Sequence, residues 1–164
     1  MTTQYDAMIL TPFGAVAIAA YRGQLAIELL DTSPSSNVYV TKQSASPMIQ
    51  NACQQVLAYL KEPKATFDLP MSQHGTPFQQ RVWQAIAQIP LGQTRTYSEL
   101  AKQIGSGPRA VANACGANQL PLVVPCHRVV AQNGIGGFMQ GKANGLRIKQ
   151  WLLRHEGVSG FGEE

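Results

Sequence analysis

The stretch TYSELAKQIGSGPRAVANACGA, residues 96–117, decides the fold of the second half of the chain. Thr96 and Glu99 fit a capping box, in which the threonine oxygen accepts from the backbone at Glu99 and the glutamate reaches back. The helix that they open is expected to stop at Gly105, and Pro108 suits the first position of a second helix. Two short helices joined by a glycine-containing turn predict a helix-turn-helix.

The second predicted helix consists mostly of small residues, namely Ala110, Ala112, Ala114, Cys115, Gly116 and Ala117. A helix of this kind packs closely in a core, or it approaches a DNA duplex closely, even in the minor groove of about 6 Å width. Arg109 stands near its start without an acidic neighbour, available for a phosphate or for insertion between bases. The helical pair alone does not establish DNA binding, because many helical hairpins bind nothing.

Two further helices are expected around this pair. Thr76-Pro77 opens the first, over TPFQQRVWQAIAQIP, and Trp83 is expected in its core-facing surface. The apolar face of this helix is expected to comprise Phe78, Val82, Ile86 and Ile89. The second, GLRIKQWLLRHEG, is amphipathic with Gly157 as its stop, and carries Leu146, Trp151 and Leu152.

The first third of the chain has a different pattern. MILTPFGAVAIAAYRGQLAIELLD has two apolar runs around Arg22-Gly23-Gln24, which predicts an antiparallel pair of strands. SPSSNVYVTKQSAS is polar and predicts a loop with at most a short strand. A helix follows with Ser46 as N-cap and Pro47 at its first position, and its spacing places Cys53 in buried packing. Near DLPMSQHG the signals change from strands to helices, so we place a domain boundary there.

Composition restricts the class of protein. The 164 residues are 45% hydrophobic, which is typical of a globular chain, and no apolar run reaches the roughly 18–20 residues of a membrane span. The N-terminus has no secretory pattern, and three cysteines give neither a disulfide framework nor metal-ligand spacing. These features predict a reduced, cytoplasmic protein without a metal or other cofactor.

The charge is distributed unevenly along the chain. Residues 1–72 have four Lys/Arg against five Asp/Glu, whereas residues 73–164 have nine against four. A basic half suits an anionic partner such as DNA. The alternative is a solvated basic face without a partner.

The stretch VVPCHRVV, residues 123–130, places a thiol and an imidazole in an apolar run. A thiolate is the nucleophilic form and a free thiol titrates near about 8.5, so reactive use of Cys126 requires a base or a positive field. Adjacent side chains usually point apart, so a bridging water or a turn after Pro125 would be needed to connect His127 with the Cys126 thiol. An orienting acceptor is also needed, and Glu156 is the candidate because Glu99 is engaged in the capping box. The alternative is a buried structural cysteine beside a satisfied histidine.

PCHRVV resembles the active-site signature of the 6-O-alkylguanine-DNA alkyltransferases, also called methylated-DNA–protein-cysteine methyltransferases. The motifs GTPFQQRVWQAIAQIPLGQTRTYSELA, RAVANACGAN and KQWLLRHEG are similar to that family in the same order, so the resemblance covers about residues 75–157. It implies an α+β fold. A small N-terminal ribonuclease-H-like α/β domain (1–72) would precede a mostly helical, winged-helix-like DNA-binding and acceptor domain (73–157) and a tail (158–164).

The resemblance also implies the roles of individual residues. Cys126 would be the alkyl acceptor, His127 the base acting through water, and Glu156 the group that orients His127. Arg109 would enter the base stack, Asn118 would bridge the recognition helix and the active-site turn, and Tyr97 would contact the flipped base. Further DNA contacts are expected from Ser98, Ala110, Ala114 and Arg128. The pocket is expected to include Val129, Phe138, Met139 and Lys149, with the carbonyls of Cys126 and Val129 accepting from the guanine amine.

The implied activity is DNA repair by a monomer. It would flip 6-O-alkylguanine, mainly methylated, or 4-O-methylthymine out of duplex DNA by way of the minor groove, and transfer the alkyl group irreversibly to Cys126. Two features depart from familiar members: the turn GSGPR is about two residues shorter, and GGFMQGKANG is longer and has Phe138 where many have a tyrosine. We expect this loop to be less selective for alkyl size.

Two alternative functions also fit parts of this pattern. A cysteine hydrolase with Cys126, His127 and Glu156 would turn over many times and would not need Arg109. An alkyltransferase-like protein that only senses lesions would bind DNA without chemistry, but such proteins lack the reactive cysteine that this chain has.

Overall fold

The computed structural model describes residues 4–138 and 145–161. The chain divides into two compact units, Met1–Gln73 and His74–Glu164. The first unit contains a four-stranded sheet and a long helix, and the second is mostly helical. The predicted α+β class is confirmed.

All strands of the first sheet are antiparallel, in the order β3-β2-β1-β4. Their bounds are β1 Ala7–Thr11, β2 Gly14–Tyr21, β3 Gln24–Leu30 and β4 Tyr39–Lys42. The predicted turn and the predicted short strand are present, and Arg22 and Gly23 both have the positive φ that a tight hairpin turn requires.

The prediction of two strands in MILTPFGAVAIAAYRGQLAIELLD was wrong, because this stretch contains three. The chain also reverses between Thr11 and Gly14, which are paired across the first hairpin. Gly14 has φ +139°, and a Cβ there would lie 2.1 Å from the carbonyl oxygen of Leu30. Only glycine fits this position, and the turn was hidden in an almost continuous apolar sequence.

Helix α1, Pro47–Lys61, begins at the predicted residue, although Ser46 makes no side-chain capping hydrogen bond. The buried residues of α1 are Ile49, Ala52, Val56, Tyr59 and Leu60. Cys53 was expected in buried packing, but it is only partly buried. It lies at the edge of the apolar stripe, beside Ala52, which occupies the core position.

The second unit contains the predicted helix-turn-helix. Its elements are α2 Pro77–Ala87, β5 Arg95–Thr96, α3 Tyr97–Ile104, α4 Pro108–Gly116, a 3-10 turn Cys126–Arg128, β6 Val129–Val130 and α5 Gly145–His155. The Thr96–Glu99 capping box is formed, and Gly105 ends α3 in the left-handed conformation. Among the described residues, no helix is both long and apolar enough to cross a membrane.

Two contacts position the turn at Cys126 and helix α4 within this unit. Trp83 of α2 is buried and donates its Nε1–H to the carbonyl of Ala114 in α4, at 2.8 Å. Strands β5 and β6 pair in parallel, with Thr96 opposite Val130. The start of α3 is thereby held beside the chain that leaves Cys126.

The exposed and buried faces of two helices differ from the predicted ones in part. Val82, Ile86 and Ile89 are buried as expected, whereas Phe78 is partly exposed. In α5, Leu146 is 46% exposed and lies outside the buried face of the helix. The buried residues of α5 are instead Gly145, Ile148, Lys149, Leu152 and Leu153, and they include a lysine that hydropathy could not identify.

Candidate active site

Cys126 begins the 3-10 turn at the centre of the second unit. It is 8% exposed, and its Sγ accepts a hydrogen bond of 3.3 Å from Asn118 Nδ2. The valines on both sides of the turn are buried: Val123, Val124, Val129 and Val130. The sulfur therefore lies among apolar side chains and accepts a hydrogen bond from Asn118.

Burial raises the pKa of the Cys126 thiol, whereas the hydrogen bond from Asn118 and the charge of Lys149 act in the opposite direction. Because the net shift is upward, the resting sulfur is a thiol at neutral pH. A base must therefore remove its proton when the sulfur reacts.

His127 is completely buried beside this thiol. Its Nε2 lies 2.7 Å from Oε2 of Glu156, and a carboxylate accepts, so we assign the ring proton to Nε2. Nδ1 is buried without a hydrogen-bond partner among residues 4–138 and 145–161. Burial lowers the pKa of His127 although Glu156 raises it, so the ring is neutral at neutral pH and Nδ1 is the atom that can accept a proton.

Asn118 lies just beyond the end of α4 and joins this helix to the reactive turn. Its Nδ2 donates to the carbonyl of Val124 at 2.9 Å as well as to Cys126 Sγ, and its Oδ1 accepts from the backbone N–H of Leu120 at 3.0 Å. These hydrogen bonds connect the end of α4 to the turn at Cys126, as the family resemblance implied for Asn118.

Lys149 is buried in the wall of the site. Its Nζ donates to the carbonyls of Val129 at 2.7 Å and Gly137 at 2.8 Å. Burial lowers its pKa to about 8. The lysine therefore ties the chain after Cys126 to the loop at Gly137.

Tyr97, at the start of α3, meets the same loop. Its hydroxyl donates to the carbonyl of Gly137 at 3.4 Å, and burial raises its pKa to about 12, so it stays protonated at neutral pH. A Cβ on Gly136 would lie 2.8 Å from the Tyr97 ring, which explains a glycine at this close approach. Phe138 is buried with its ring centroid 6.0 Å from Lys149 Nζ. Met139 lies outside the described residues, as does most of the longer loop.

The residues expected to contact DNA differ in their exposure to solvent. Arg109 and Ser98 are exposed at the beginnings of α4 and α3, and Ala110 is partly exposed. Ala114 is 2% exposed, so its assignment to the DNA contact was wrong. Ala114 faces the core together with Val111, and its carbonyl accepts the hydrogen bond from Trp83.

Arg128 was also expected to contact DNA, and the structure places it elsewhere. Its Nε donates to Glu156 Oε1 at 2.8 Å and its Nη2 to Oε2 at 3.1 Å. Its Nη1 donates to the carbonyl of Ile89 at 2.6 Å. A guanidinium within an apolar run requires buried hydrogen-bond acceptors. Glu156, one of the four acidic residues in 73–164, supplies two of them.

Sequence reasoning missed the Arg128–Glu156 pair, the Trp83–Ala114 hydrogen bond and the convergence of Lys149 and Tyr97 on Gly137. The first had a signal, since an arginine enclosed by valines needs a counter-charge. The other two depend on backbone carbonyls, and their positions follow from the fold. As a whole, the site presents a buried thiol, a neutral base and an exposed cationic helix start.

Comparisons with known proteins agree with this arrangement. The family model described as "6-O-methylguanine DNA methyltransferase, DNA binding domain" matches residues 77–158. The chain is 38% identical over 156 residues to the constitutive methylated-DNA–protein-cysteine methyltransferase of Bacillus subtilis, covering 91% of this chain and 93% of the relative.

Two solved structures from Mycobacterium tuberculosis are similar in fold. A variant of the O6-methylguanine methyltransferase has a TM-score of 0.74 and 32% identity, over 95% of this chain and 94% of its own. OGT in complex with DNA has a TM-score of 0.70 and 34% identity, over 91% of this chain and 90% of its own.

Proposed function

The chain belongs to the 6-O-methylguanine DNA methyltransferase family, and we propose that it repairs alkylated DNA by transferring the alkyl group to its own Cys126. The observation that carries this assignment is the Cys126 thiol, bonded to Asn118 and next to a neutral His127 whose other nitrogen is held by Glu156. The activity is that of a methylated-DNA–protein-cysteine methyltransferase, and its partner is double-stranded DNA.

The transfer is a displacement at the alkyl carbon. The Cys126 proton passes to His127 Nδ1 through a bridging water, and the sulfur attacks the carbon bound to O6 of guanine. A carbon–sulfur bond forms, the carbon–oxygen bond breaks, and the guanine leaves with its electron pair and takes up a proton. The product is a thioether, which has no easy route back to a thiol, so each molecule repairs one lesion.

Access to the alkyl carbon from the minor groove requires extrusion of the base, because O6 of guanine lies on the major-groove edge. The exposed start of α4, with Arg109 and the partly exposed Ala110, is the surface we assign to the minor groove. Arg109 fills the space in the stack that the extruded guanine leaves. Few side chains of this helix can read base edges, so binding depends on phosphates and is largely independent of sequence.

The pocket is formed by the valines, Tyr97, Phe138 and Lys149. The apolar wall favours the neutral alkyl group, and the carbonyls of Cys126 and Val129 accept from the exocyclic amine of guanine. Val129 already accepts from Lys149, but a carbonyl has a second lone pair. Methylguanine is the main lesion in this proposal, with 4-O-methylthymine as a second candidate.

The second unit carries both DNA binding and alkyl acceptance in this proposal, and a single copy suffices. Cys53, Cys115 and Cys126 are all free thiols. An acceptor that must remain a thiol suits a reducing compartment such as the cytoplasm.

The test is incubation of the protein with excess duplex DNA that carries radiolabelled methylguanine. The proposal predicts label on the protein up to one equivalent and no further. Continued release of a labelled small product would indicate a cysteine hydrolase instead, and DNA binding without any transfer would indicate a lesion sensor.

A further inference from the structure

Arg128 belongs to the hydrogen-bonded system of the base, although its neighbours in the sequence suggest a surface role. Its side chain is 13% exposed and makes bonds to both oxygens of Glu156 and to the carbonyl of Ile89. All of these acceptors belong to the protein itself. The guanidinium is therefore bound within the second unit.

Glu156 is shared between two side chains. Its Oε1 accepts from Arg128, and its Oε2 accepts from both His127 and Arg128. One carboxylate balances one positive charge, and the guanidinium is charged at all ordinary pH values. A proton on His127 would add a second positive charge to a buried group that has one negative charge.

We propose that Arg128 is a positioning residue that shares Glu156 with His127, and so keeps the imidazole neutral and oriented to receive the Cys126 proton. This inference rests on the proposed function, since the proton transfer belongs to that reaction. The third bond, to Ile89 just beyond α2, fixes the guanidinium fork and with it the plane of the Glu156 carboxylate.

The charges around His127 change its pKa in the directions that this proposal requires. Among the described residues, the charged groups that act on the ring are Glu156 and Lys149 from the α5 side and Arg128 from its own turn. Glu156 raises the pKa of His127, whereas the charges of Arg128 and Lys149 lower it. Removal of the Arg128 charge takes away one of the two charges that lower this pKa and keeps the opposing effect of Glu156, which favours imidazolium.

The experiment compares Arg128→Met and Arg128→Gln, which remove the charge, with Arg128→Lys, which keeps it without the fork. The first readout is the titration of the His127 ring by NMR in the unreacted protein. The second is the rate of Cys126 benzylation by free benzylguanine as a function of pH, which avoids DNA binding. Lys102→Gln, which removes an exposed charge from α3, is the matched control, and circular dichroism identifies the variants that fold.

For whichever neutral variant folds, we expect the His127 titration and the acid limb of the rate profile to move to higher pH. In Arg128→Lys both midpoints stay near wild type while the rate falls at every pH, and Lys102→Gln changes neither. Unchanged or lowered midpoints in the neutral variants would overturn the proposal, as would an equal shift in the lysine variant. Because the NMR titration needs no alkyl transfer, a wild-type protein without transfer activity would refute the proposed function separately.

Discussion

Replacement of Glu156 by glutamine tests whether the centre of the site is held by a buried ion pair. The Glu156 side chain is fully buried, Arg128 is 13% exposed, and three hydrogen bonds converge on the carboxylate. Breaking a buried pair by removing one partner typically costs about 3–5 kcal/mol, because the remaining charge stays uncompensated. The guanidinium keeps slight access to water and its bond to Ile89, so we expect a loss of about 3 kcal/mol in the free energy of unfolding.

The assay is equilibrium unfolding in urea followed by tryptophan fluorescence. Both tryptophans of the chain, Trp83 and Trp151, lie in the second unit, so the signal reports on the unit that contains the pair. Glu99→Gln is the matched control, since Glu99 is an exposed carboxylate in a capping box and its loss has a smaller effect. If Glu156→Gln were as stable as the control, the reasoning that this pair is desolvated and essential to the fold would be refuted.

Four further outcomes are expected. Arg109→Ala slows repair of duplex DNA far more than reaction with free benzylguanine, since only the duplex requires extrusion; equal losses would assign Arg109 to the pocket or the fold. Trp83→Phe lowers the free energy of unfolding in urea by about 1 kcal/mol, because the Ala114 carbonyl loses the indole donor and keeps the Ala117 N–H; an unchanged value would contradict that role. The free energy of unfolding of the wild type falls as the pH drops below about 6.5, because the unfolded chain protonates His127 whereas the folded protein, with its lowered pKa, does not. A His127→Gln variant lacks this part of the pH dependence. Identical profiles of unfolding free energy against pH for the two proteins would contradict this explanation. Binding of the Cys126→Ser protein to undamaged duplexes weakens with salt, with a log–log slope of roughly −3 to −5, and a flat response or a strong preference for one sequence would point to a sequence-reading regulator.

Local signals in the sequence predicted the helices of the second unit well. The Thr96–Glu99 capping box, Gly105 and Pro108 determine where α3 and α4 begin and end through contacts with residues nearby in the sequence. The helix-turn-helix was therefore predictable without knowledge of the tertiary structure. The first hairpin was missed because its turn contains Pro12-Phe13 within an apolar run. The requirement for Gly14 comes from the carbonyl of Leu30, a contact across the sheet that no local pattern shows.

The candidate site was predictable as a set of residues but not as a network. The shortage of acids pointed to Glu156 as the partner of His127, and the structure brings the two together. The same shortage makes Glu156 the partner of Arg128. This second interaction depends on the direction in which the 3-10 turn orients the arginine side chain. The burial of Ala114 likewise depends on which face of α4 packs against Trp83, and small residues give little indication of that face.

The most direct test of the central claim is the mass of the protein after reaction with methylguanine duplex, combined with peptide mapping. We predict that the intact protein gains a single methyl group in place of one hydrogen, that the modified peptide contains Cys126, and that Cys126→Ser gains nothing. Methyl groups on more than one site, a methyl group on Cys115 or Cys53, or repeated turnover without any gain in mass would contradict the assignment of Cys126 as the stoichiometric acceptor.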